Sequence, residues 1–379
     1  MREHFLLEDG VVFLNHGSFG ACPRVVFDEY QRIQRQIELQ PVRFFVTDVF
    51  PMLTASRAAV AELVGTSIEN LVPALNATYG VNVIANSIPL KPGDEILSNT
   101  HEYGACIRAW DKVCRRTGAV MVHAEIPLPI SSSDEIFDRI VAGATERTKV
   151  LFVSHLTSPS GLVFPIERLV GWARERGIIT FVDGAHAPAH VTLRLDELGV
   201  DFYTGNCHKW LCAPKGSGFI FARPEWQHVV EPLTVSWGPM LPSVTGSSYI
   251  DELIWPGTYD PSPFLTIPAA IRFQHEHNWA SVSAKCRAMA LEVKGLMESI
   301  DGAAAIAPSD PSVIAQMAAV SLPTDDNAGL KSFLLDKYNI EIPIGRWHDM
   351  TIMRASIQAY NTMDEYQLLV RATNEFLKR

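Results

Sequence analysis

KVLFVSHLTSPSGLVFPIERLVGWARERGIITFVDGA (149–185) holds two apolar runs with an amphipathic stretch between them. The runs at 149–156 and 178–185 are rich in Val, Ile, Leu and Phe, a composition typical of strands buried on both faces. Apolar residues over 166–177 recur with the spacing of a helix. This order of strand, helix and strand predicts two parallel strands joined by a crossover helix.

The same alternation continues on both sides of this unit. Further strands are predicted at 94–100, 118–126, 200–206 and 218–225, and further helices at 105–116 and 134–144. We therefore expect an α/β fold whose mostly parallel sheet is covered by helices on both faces. Helical patterns then cover 266–300, and a strand–helix–strand–strand–helix series covers 312–379.

The length of 379 residues favours two domains over one. Composition changes at 226–265, which is rich in Pro, Trp, Ser and Gly. We expect an N-terminal arm at 1–14, a large α/β domain at 15–255, and a linker helix with a smaller C-terminal α+β domain at 256–379.

Charge and cysteine content limit the classes of partner. The formal net charge is −10 and no basic run occurs, which argues against nucleic acid or an anionic membrane surface as a partner. No apolar run is expected to reach the ~18 residues that span a bilayer. The six cysteines include no CxxC pair, and we interpret them as reduced thiols of a cytoplasmic protein.

Polar side chains follow three of the predicted parallel strands. They lie at 154–160, 183–186 and 206–209. Ligands of open α/β sheets bind outside the carboxyl ends of the strands, so these side chains are expected to converge on one site. Any one of them alone is more commonly a hydrogen-bonded core residue or a helix N-cap.

A metal site is one interpretation of this edge. Asp183, His186 and His190 have ligand-type side chains, and two histidines four residues apart can bind zinc from one helical face. Pro188 interrupts the helix that would align them, and no Glu is placed as a general base. A metal-dependent hydrolase is therefore the weaker alternative, and no metal is predicted.

Lys209 indicates a covalent cofactor instead. It lies in TGNCHKWLCAPKG (204–216), a stretch with little other charge. A desolvated lysine has a lowered pKa and forms a Schiff base with a carbonyl group. Pyridoxal 5′-phosphate (PLP) requires such a lysine together with a carboxylate beside its pyridine nitrogen. Asp183, at a strand end, suits that second role.

These residues also resemble those of a known family. The ordered set resembles class V aminotransferases of PLP fold type I, and within them the branch that contains isopenicillin N epimerase. The matching motifs are FLNHGSFG (13–20), NATYGVN (76–82), HEYGA (101–105), GNCHKWLCAPKG (205–216) and MRASIQAYNT (353–362). Each motif is weak alone, but together they span nearly the whole chain in order. The resemblance implies a large domain with a seven-stranded type of sheet and a small C-terminal domain.

The resemblance assigns roles around the cofactor ring. Lys209 corresponds to the lysine that carries PLP, and Asp183 to the partner of the pyridine nitrogen. His186 is expected near the phenolic oxygen. Tyr103 corresponds to the aromatic residue that stacks on the ring, and Ser158 to a residue that faces the cofactor.

The resemblance also implies a phosphate site. Ala77 and Thr78 correspond to the phosphate-binding turn at a helix N-terminus. His208 corresponds to a phosphate ligand, and Asn206 replaces the serine that related desulfurases place three residues before the lysine. Thr258 corresponds to a residue that reaches the phosphate of the neighbouring subunit, which implies a homodimer with composite sites.

A small-molecule amino acid is the implied substrate. Arg354 corresponds to the arginine that binds the α-carboxylate, a role suited to a planar guanidinium. His16, Arg346 and Trp347 are expected near the substrate side chain. A PLP-binding protein without catalytic activity is disfavoured, because Arg354 implies a substrate carboxylate.

The expected reaction is less narrowly defined. The loop 344–353 has no cysteine, unlike the corresponding loop of desulfurases, and Cys207 and Cys212 read as packing residues. We expect removal of the Cα proton followed by C–S β-elimination on a cysteine-derived substrate, in a biosynthetic pathway. Epimerisation is the second expectation and transamination the third.

Overall fold

The computed structural model describes residues 1–238 and 245–379, so residues 239–244 of the predicted composition change lie outside the described residues. The strands are β1 (Val12–Phe13), β2 (Leu71–Ala74), β3 (Glu95–Asn99), β4 (Val120–Ala124), β5 (Thr148–Ser154), β6 (Ile179–Gly184), β7 (Phe202–Asn206), β8 (Gly218–Ala222), β9 (Ala304–Ala305), β10 (Met317–Leu322), β11 (Ile340–Glu341), β12 (Ile344–Trp347) and β13 (Met350–Ser356).

Helices connect and cover these strands. They are α1 (His16–Phe19), α2 (Arg24–Leu39), α3 (Pro41–Arg43), α4 (Val49–Val64), α5 (Ala77–Ser87), α6 (Gly104–Thr117), α7 (Ser133–Ala142), α8 (Ile166–Arg174), α9 (Leu195–Leu198), α10 (Ser248–Leu253), α11 (Ser262–Leu265), α12 (Ile267–Glu276), α13 (Trp279–Glu298), α14 (Asn327–Tyr338) and α15 (Met363–Leu377).

The central sheet has the strand order β2-β8-β7-β6-β5-β3-β4. Neighbouring strands from β7 through β6, β5 and β3 to β4 pair in parallel, whereas β8 is antiparallel to both β7 and β2. All residues of β6 and β7 are buried, as expected of strands covered on both faces. The predicted mostly parallel seven-stranded sheet is confirmed.

Aromatic side chains fill the space between this sheet and its helices. Trp110 of α6 packs against Phe152 and Phe181, with ring centroids 5.6 and 6.4 Å apart, and all three rings are fully buried. Burying an aromatic side chain of this size removes a large apolar surface from water. The core therefore lies beneath the carboxyl ends of β5 and β6, and it supports the residues that follow them.

The C-terminal region forms a second, antiparallel sheet in the order β12-β13-β10-β9. The helical region 266–300 contains α12 and α13, which are separated at Asn278 with its left-handed φ of 49°. Three strands follow α14 where the sequence predicts two, and the first of them, β11, pairs with β1. The first residues are also well packed, since Phe5 is buried with its ring 4.9 Å from that of Tyr360. The domain boundaries at 14/15 and 255/256 stay predictions.

The structure contains one long apolar helical stretch, although the sequence was expected to contain none. The helical stretch Pro41–Val64 has the length and composition of a membrane span, with a mean hydropathy of 1.2. Val49, Leu53 and Val60 of this stretch are fully buried in the core. The Arg57 guanidinium is buried too, and its Nε–H donates to the Leu71 carbonyl at 2.8 Å. Core helices of water-soluble proteins pass the same test, so this finding is weak evidence for a membrane span.

Candidate active site

A cavity of about 590 Å³ lies where the central parallel strands end. Its walls come from α1, the start of α5, the turn before α6, and the segments after β5, β6 and β7. The structure brings most of the predicted cofactor residues into this wall: Ala77, Thr78, Tyr103, Ser158, Asp183, His186, Asn206, His208 and Lys209.

Lys209 projects into the cavity from the turn after β7. Burial, and then the nearby Arg354, lower the pKa of its amine to about 8, although Asp183 and Cys106 oppose the shift. Its Nζ lies 3.2 Å from His186 Nε2. A larger fraction of this amine than of an exposed lysine is therefore unprotonated near neutral pH, and the unprotonated amine is the form that attacks a carbonyl group.

Asp183 is the penultimate residue of β6 and is 3% exposed. Its Oδ1 accepts a hydrogen bond from the Ala185 N–H at 2.9 Å, and the Cys106 thiol donates to Oδ2 at 3.3 Å. Burial raises the pKa of this carboxyl, opposed by these two bonds and by Lys209. A second buried carboxyl, Glu102, accepts bonds from the Ser154 N–H and hydroxyl at 2.7 and 2.5 Å. Burial raises its pKa to about 7.

The start of α5 forms the other end of the cavity. The Asn76 side chain caps this helix by accepting from the Tyr79 N–H at 2.9 Å, and Asn206 Oδ1 accepts from the Ala77 N–H at 2.8 Å. The first N–H groups of a helix carry partial positive charge and favour an anion. Asn206, the last residue of β7, is thus hydrogen-bonded to the first turn of α5, and this helix N-terminus is suited to bind a phosphate group.

His208 lines the same cavity as this helix N-terminus. Its Nδ1 donates to the Ser217 carbonyl at 3.1 Å, and burial lowers its pKa to about 4. Because Nδ1 is committed to that carbonyl, Nε2 can donate to an anion only when the ring is protonated. A bound phosphate dianion favours that protonated form.

Arg354 lies in β13 beside the cavity and is 5% exposed. One terminal N–H group donates to the Ser158 carbonyl, whereas Nε has no hydrogen-bond partner in the described part of the chain. Burial lowers the pKa of the guanidinium to about 10, so it still carries its charge at neutral pH. An unpaired donor on a buried cation is suited to bind a carboxylate.

Two predicted substrate residues do not reach the cavity. His16 is fully buried: its Nε2 donates to the Lys209 carbonyl at 3.0 Å, and its Nδ1 lies 2.8 Å from the Tyr360 hydroxyl. Arg346 lies in the edge strand β12, with its side chain 41% exposed and paired with Asp325. Neither side chain lines the cavity of this subunit, because packing turns the His16 ring inward and leaves the Arg346 guanidinium in solvent. Their expected contact with the substrate side chain stays a prediction.

Two further predicted residues lie away from the cavity wall. Trp347 packs on His101 with ring centroids 4.6 Å apart, and its Nε1 donates to the Thr100 carbonyl at 3.2 Å. Trp347 does not line the cavity of its own subunit, and its expected contact with the substrate side chain stays a prediction. Thr258 is exposed and does not line this subunit's cavity, so its role toward a neighbouring subunit stays a prediction.

The residues of the metal interpretation are occupied by protein hydrogen bonds. His190 Nε2 accepts from the Gln316 N–H at 2.8 Å, and its Nδ1 donates to the His186 carbonyl at 3.0 Å. Neither ring nitrogen of His190 is free to bind a metal. No group of three or more His, Cys, Asp or Glu side chains in 1–238 and 245–379 is arranged to hold a metal ion.

Several site residues were missed from the sequence. Gly17, Ser18 and Phe19 line the cavity, as does Lys215, whose amine forms no ion pair within the described residues. All four lie in the motifs 13–20 and 205–216, so motif membership was the available signal. Glu102, in the motif 101–105, was missed because its contacts with Ser154 depend on the tertiary structure.

The cavity therefore offers a buried amine, a buried carboxylate and a helix N-terminus suited to an anion. This donor set fits PLP, which has an aldehyde, a pyridine nitrogen and a phosphate. A family model, "Aminotransferase class-V", matches residues 23–369. The chain belongs to the class V aminotransferase family. Members of this family are PLP-dependent, so this class V protein is a PLP-dependent enzyme.

Individual relatives agree with this assignment over the full length. The class V chain is 35% identical to isopenicillin N epimerase of Amycolatopsis lactamdurans, over 100% of this chain and 98% of the relative. It is 28% identical to a probable chloroplastic L-cysteine desulfhydrase of Arabidopsis thaliana, over 96% and 82%. A solved structure of C-DES with glycine covalently linked to its PLP cofactor has a TM-score of 0.85 at 17% identity, over 99% of both chains. The predicted fold type I architecture is confirmed.

Proposed function

We propose that this enzyme removes the Cα proton of a cysteine-derived L-amino acid and expels the sulfur group from Cβ. The carrying observation is the Lys209 amine, which lines the cavity with its Nζ 3.2 Å from His186 Nε2. A single base at this position supports proton removal from one face of Cα. Elimination requires only one such base, whereas inversion also requires a proton donor on the opposite face.

Different residues are proposed to bind the cofactor, bind the substrate and remove the Cα proton. Bound PLP supplies an electron sink for the negative charge that develops at Cα. Asp183 holds a negative charge where the pyridine nitrogen is expected, Ala77, Thr78, Asn206 and His208 would hold the phosphate, and Lys209 Nζ takes the proton from Cα. Arg354 binds the substrate carboxylate and so fixes which Cα bond faces Lys209.

The cysteines support elimination over persulfide chemistry. None of the six lines the cavity in the described part of the chain. Cys207 and Cys212 are fully buried, and burial raises the pKa of both thiols. A buried thiol with a raised pKa is a poor nucleophile, so the sulfur group is proposed to leave as a free product instead of being transferred to the protein.

Epimerisation is the second candidate. It is favoured by the 35% identity to an isopenicillin N epimerase over the full length of both chains. The required second proton donor must come from another side of the cavity than Lys209. Tyr103 and Lys215, which both line the cavity, are the candidates.

We also propose that the enzyme is a cytoplasmic homodimer.

The test is turnover of S-substituted L-cysteines by the holoenzyme in deuterated water. Loss of the Cα proton and of the sulfur group, followed by hydrolysis, gives a thiol, pyruvate and ammonia. We expect these products in equal amounts, with no requirement for a 2-oxo acid. Lys209→Ala is the control and is expected to form none of them, because the Cα base is missing.

Other outcomes would replace the proposal. Recovery of the D-isomer carrying deuterium at Cα, without pyruvate, would identify an epimerase. Accumulation of the pyridoxamine form of the cofactor together with a need for a 2-oxo acid would identify an aminotransferase. Release of carbon dioxide with the Cα proton retained would show that the first step is wrong.

A further inference from the structure

Trp210 follows the cofactor lysine directly and is 1% exposed. Its indole ring stacks on His190 with centroids 3.8 Å apart and an interplanar angle of 23°, and its carbonyl accepts from Gln274 Nε2 at 2.9 Å. These contacts fix the orientation of the ring. Its Nε1–H then points at His186 Nδ1, 3.3 Å away.

The direction of this hydrogen bond determines where the proton of His186 lies. An indole N–H only donates, so Nδ1 of His186 must accept. Burial, and then the charges of Lys209 and Arg354, lower the pKa of His186 well below its usual value, so the ring is neutral. A neutral imidazole has one N–H, and with Nδ1 accepting, that N–H is on Nε2.

The tautomer of His186 in turn constrains Lys209. His186 Nε2 is 3.2 Å from Lys209 Nζ, and an Nε2–H group can only donate to it. An ammonium group has three N–H donors and no lone pair, so it cannot accept this bond. An uncharged amine can.

We propose that Trp210 is a positioning residue that fixes His186 as the Nε2–H tautomer and thereby favours the uncharged amine of Lys209 over its ammonium form in the cofactor-free enzyme. The role is independent of which reaction follows. It prepares Lys209 for attack on the PLP aldehyde, and the same Nε2–H of His186 remains directed into the cavity afterwards.

Other groups around Lys209 also affect its protonation, some favouring and some opposing the ammonium form. Asp183 and Cys106 favour the ammonium form, whereas Arg354 opposes it. His208 is neutral, because burial lowers its pKa to about 4. None of these groups depends on Trp210 for its hydrogen bonds, so removal of the indole N–H changes the balance at Lys209 through His186 alone.

The test is the rate at which the apoenzyme captures PLP, followed by absorbance between pH 6.5 and pH 10, in the wild type and in Trp210→Phe. Phenylalanine keeps a ring against His190 but removes the donor, so His186 can present a lone pair to Lys209 and stabilise its ammonium form. We expect capture at pH 7.5 to slow about tenfold, corresponding to a rise of about one unit in the pKa of Lys209. At pH 10 the rates should agree within about twofold, since both amines are then largely unprotonated.

Trp110→Phe is the matched control. Trp110 is equally buried, but its Nε1 has no hydrogen-bond partner among residues 1–238 and 245–379, so this variant removes a core indole without removing a bond seen there. Its pH profile should be that of the wild type. A profile of Trp210→Phe that is unchanged, or that is slowed by the same factor at every pH, would overturn the proposal.

A measurement on the wild type keeps the proposal testable if Trp210→Phe does not fold. The ¹⁵N chemical shifts of histidine-labelled apoenzyme distinguish the two tautomers, and His186→Gln identifies the signal of His186. We expect the Nε2–H tautomer at pH 7.5. Observation of Nδ1–H or of an imidazolium at His186 would refute the inference.

Discussion

Arg354 shows how a single residue can reveal a ligand. Its buried Nε–H lacks an acceptor within 1–238 and 245–379. An unsatisfied buried donor costs about 1–3 kcal/mol, and more when the group is charged. Such a cost is recovered when an anion binds, which is why Arg354 is the best candidate for the carboxylate of the substrate.

Arg354→Ala is expected to weaken the binding of amino-acid substrates by about 2–4 kcal/mol, which lies within the range for removing one partner of a buried charge pair. This loss of binding energy corresponds to an increase in Kd of between about 30-fold and several-hundred-fold. The Kd is measured by spectral titration of the holoenzyme. PLP affinity should change less, because Arg354 is not among the residues expected to hold the cofactor. Arg354→Lys is the control and should give an intermediate loss, since it keeps the charge but not the planar fork. Equal losses for PLP and for the amino acid would contradict the assignment.

At the scale of elements, the cavity depends on where strands end and helices begin. The parallel strands β5, β6 and β7 deliver Ser154, Asp183 and Asn206 to one edge, because parallel strands share one direction. The N-terminus of α5 faces the same edge and is held there by the bond between Ala77 N–H and Asn206. The expected phosphate site therefore depends on the contact between the N-terminus of α5 and the end of β7.

Asn76→Ala tests whether the capped N-terminus of α5 is needed to bind PLP. Loss of an N-cap side chain costs about 0.5–2 kcal/mol, and here it also loosens the first turn of α5 at the cavity. We expect a less stable apoenzyme in chemical denaturation and a weaker affinity for PLP.

Ser132→Ala is the matched control for this prediction. Ser132 caps α7 by accepting from the Glu135 N–H at 3.2 Å and does not line the cavity. It should lower stability by a similar amount and leave PLP affinity unchanged. If both variants bind PLP like the wild type, α5 is not the phosphate site.

At the scale of the whole molecule, the proposed dimer implies sites shared between subunits. Thr258 is exposed and lies outside its own cavity. We expect a dimer in sedimentation. We further expect that subunit exchange between Lys209→Ala and Thr258→Asp restores activity that neither variant has alone, because one site of each hybrid combines an intact Lys209 with an intact Thr258. A monomer that turns over at high dilution, or an absence of complementation in verified hybrids, would exclude composite sites.

The sequence by itself determined the fold class and the centre of the site. Near-continuous apolar runs alternating with helical patterns are local signals, and they predicted the parallel sheet correctly. Lys209 stood out because it lies among apolar residues, and Asp183 because it ends a buried strand. These signals do not require knowledge of distant contacts.

The tertiary structure alone decided the surroundings of that centre. His16 and Arg346 are close to site motifs in the sequence, yet one is buried behind Lys209 and the other faces solvent. The tautomer of His186 depends on the direction in which the Trp210 ring points, and that direction is fixed by packing against His190. Which side of a ring or strand meets a cavity is set by segments that are distant in the chain, because side-chain orientation follows from packing and hydrogen bonds that form only in the folded protein.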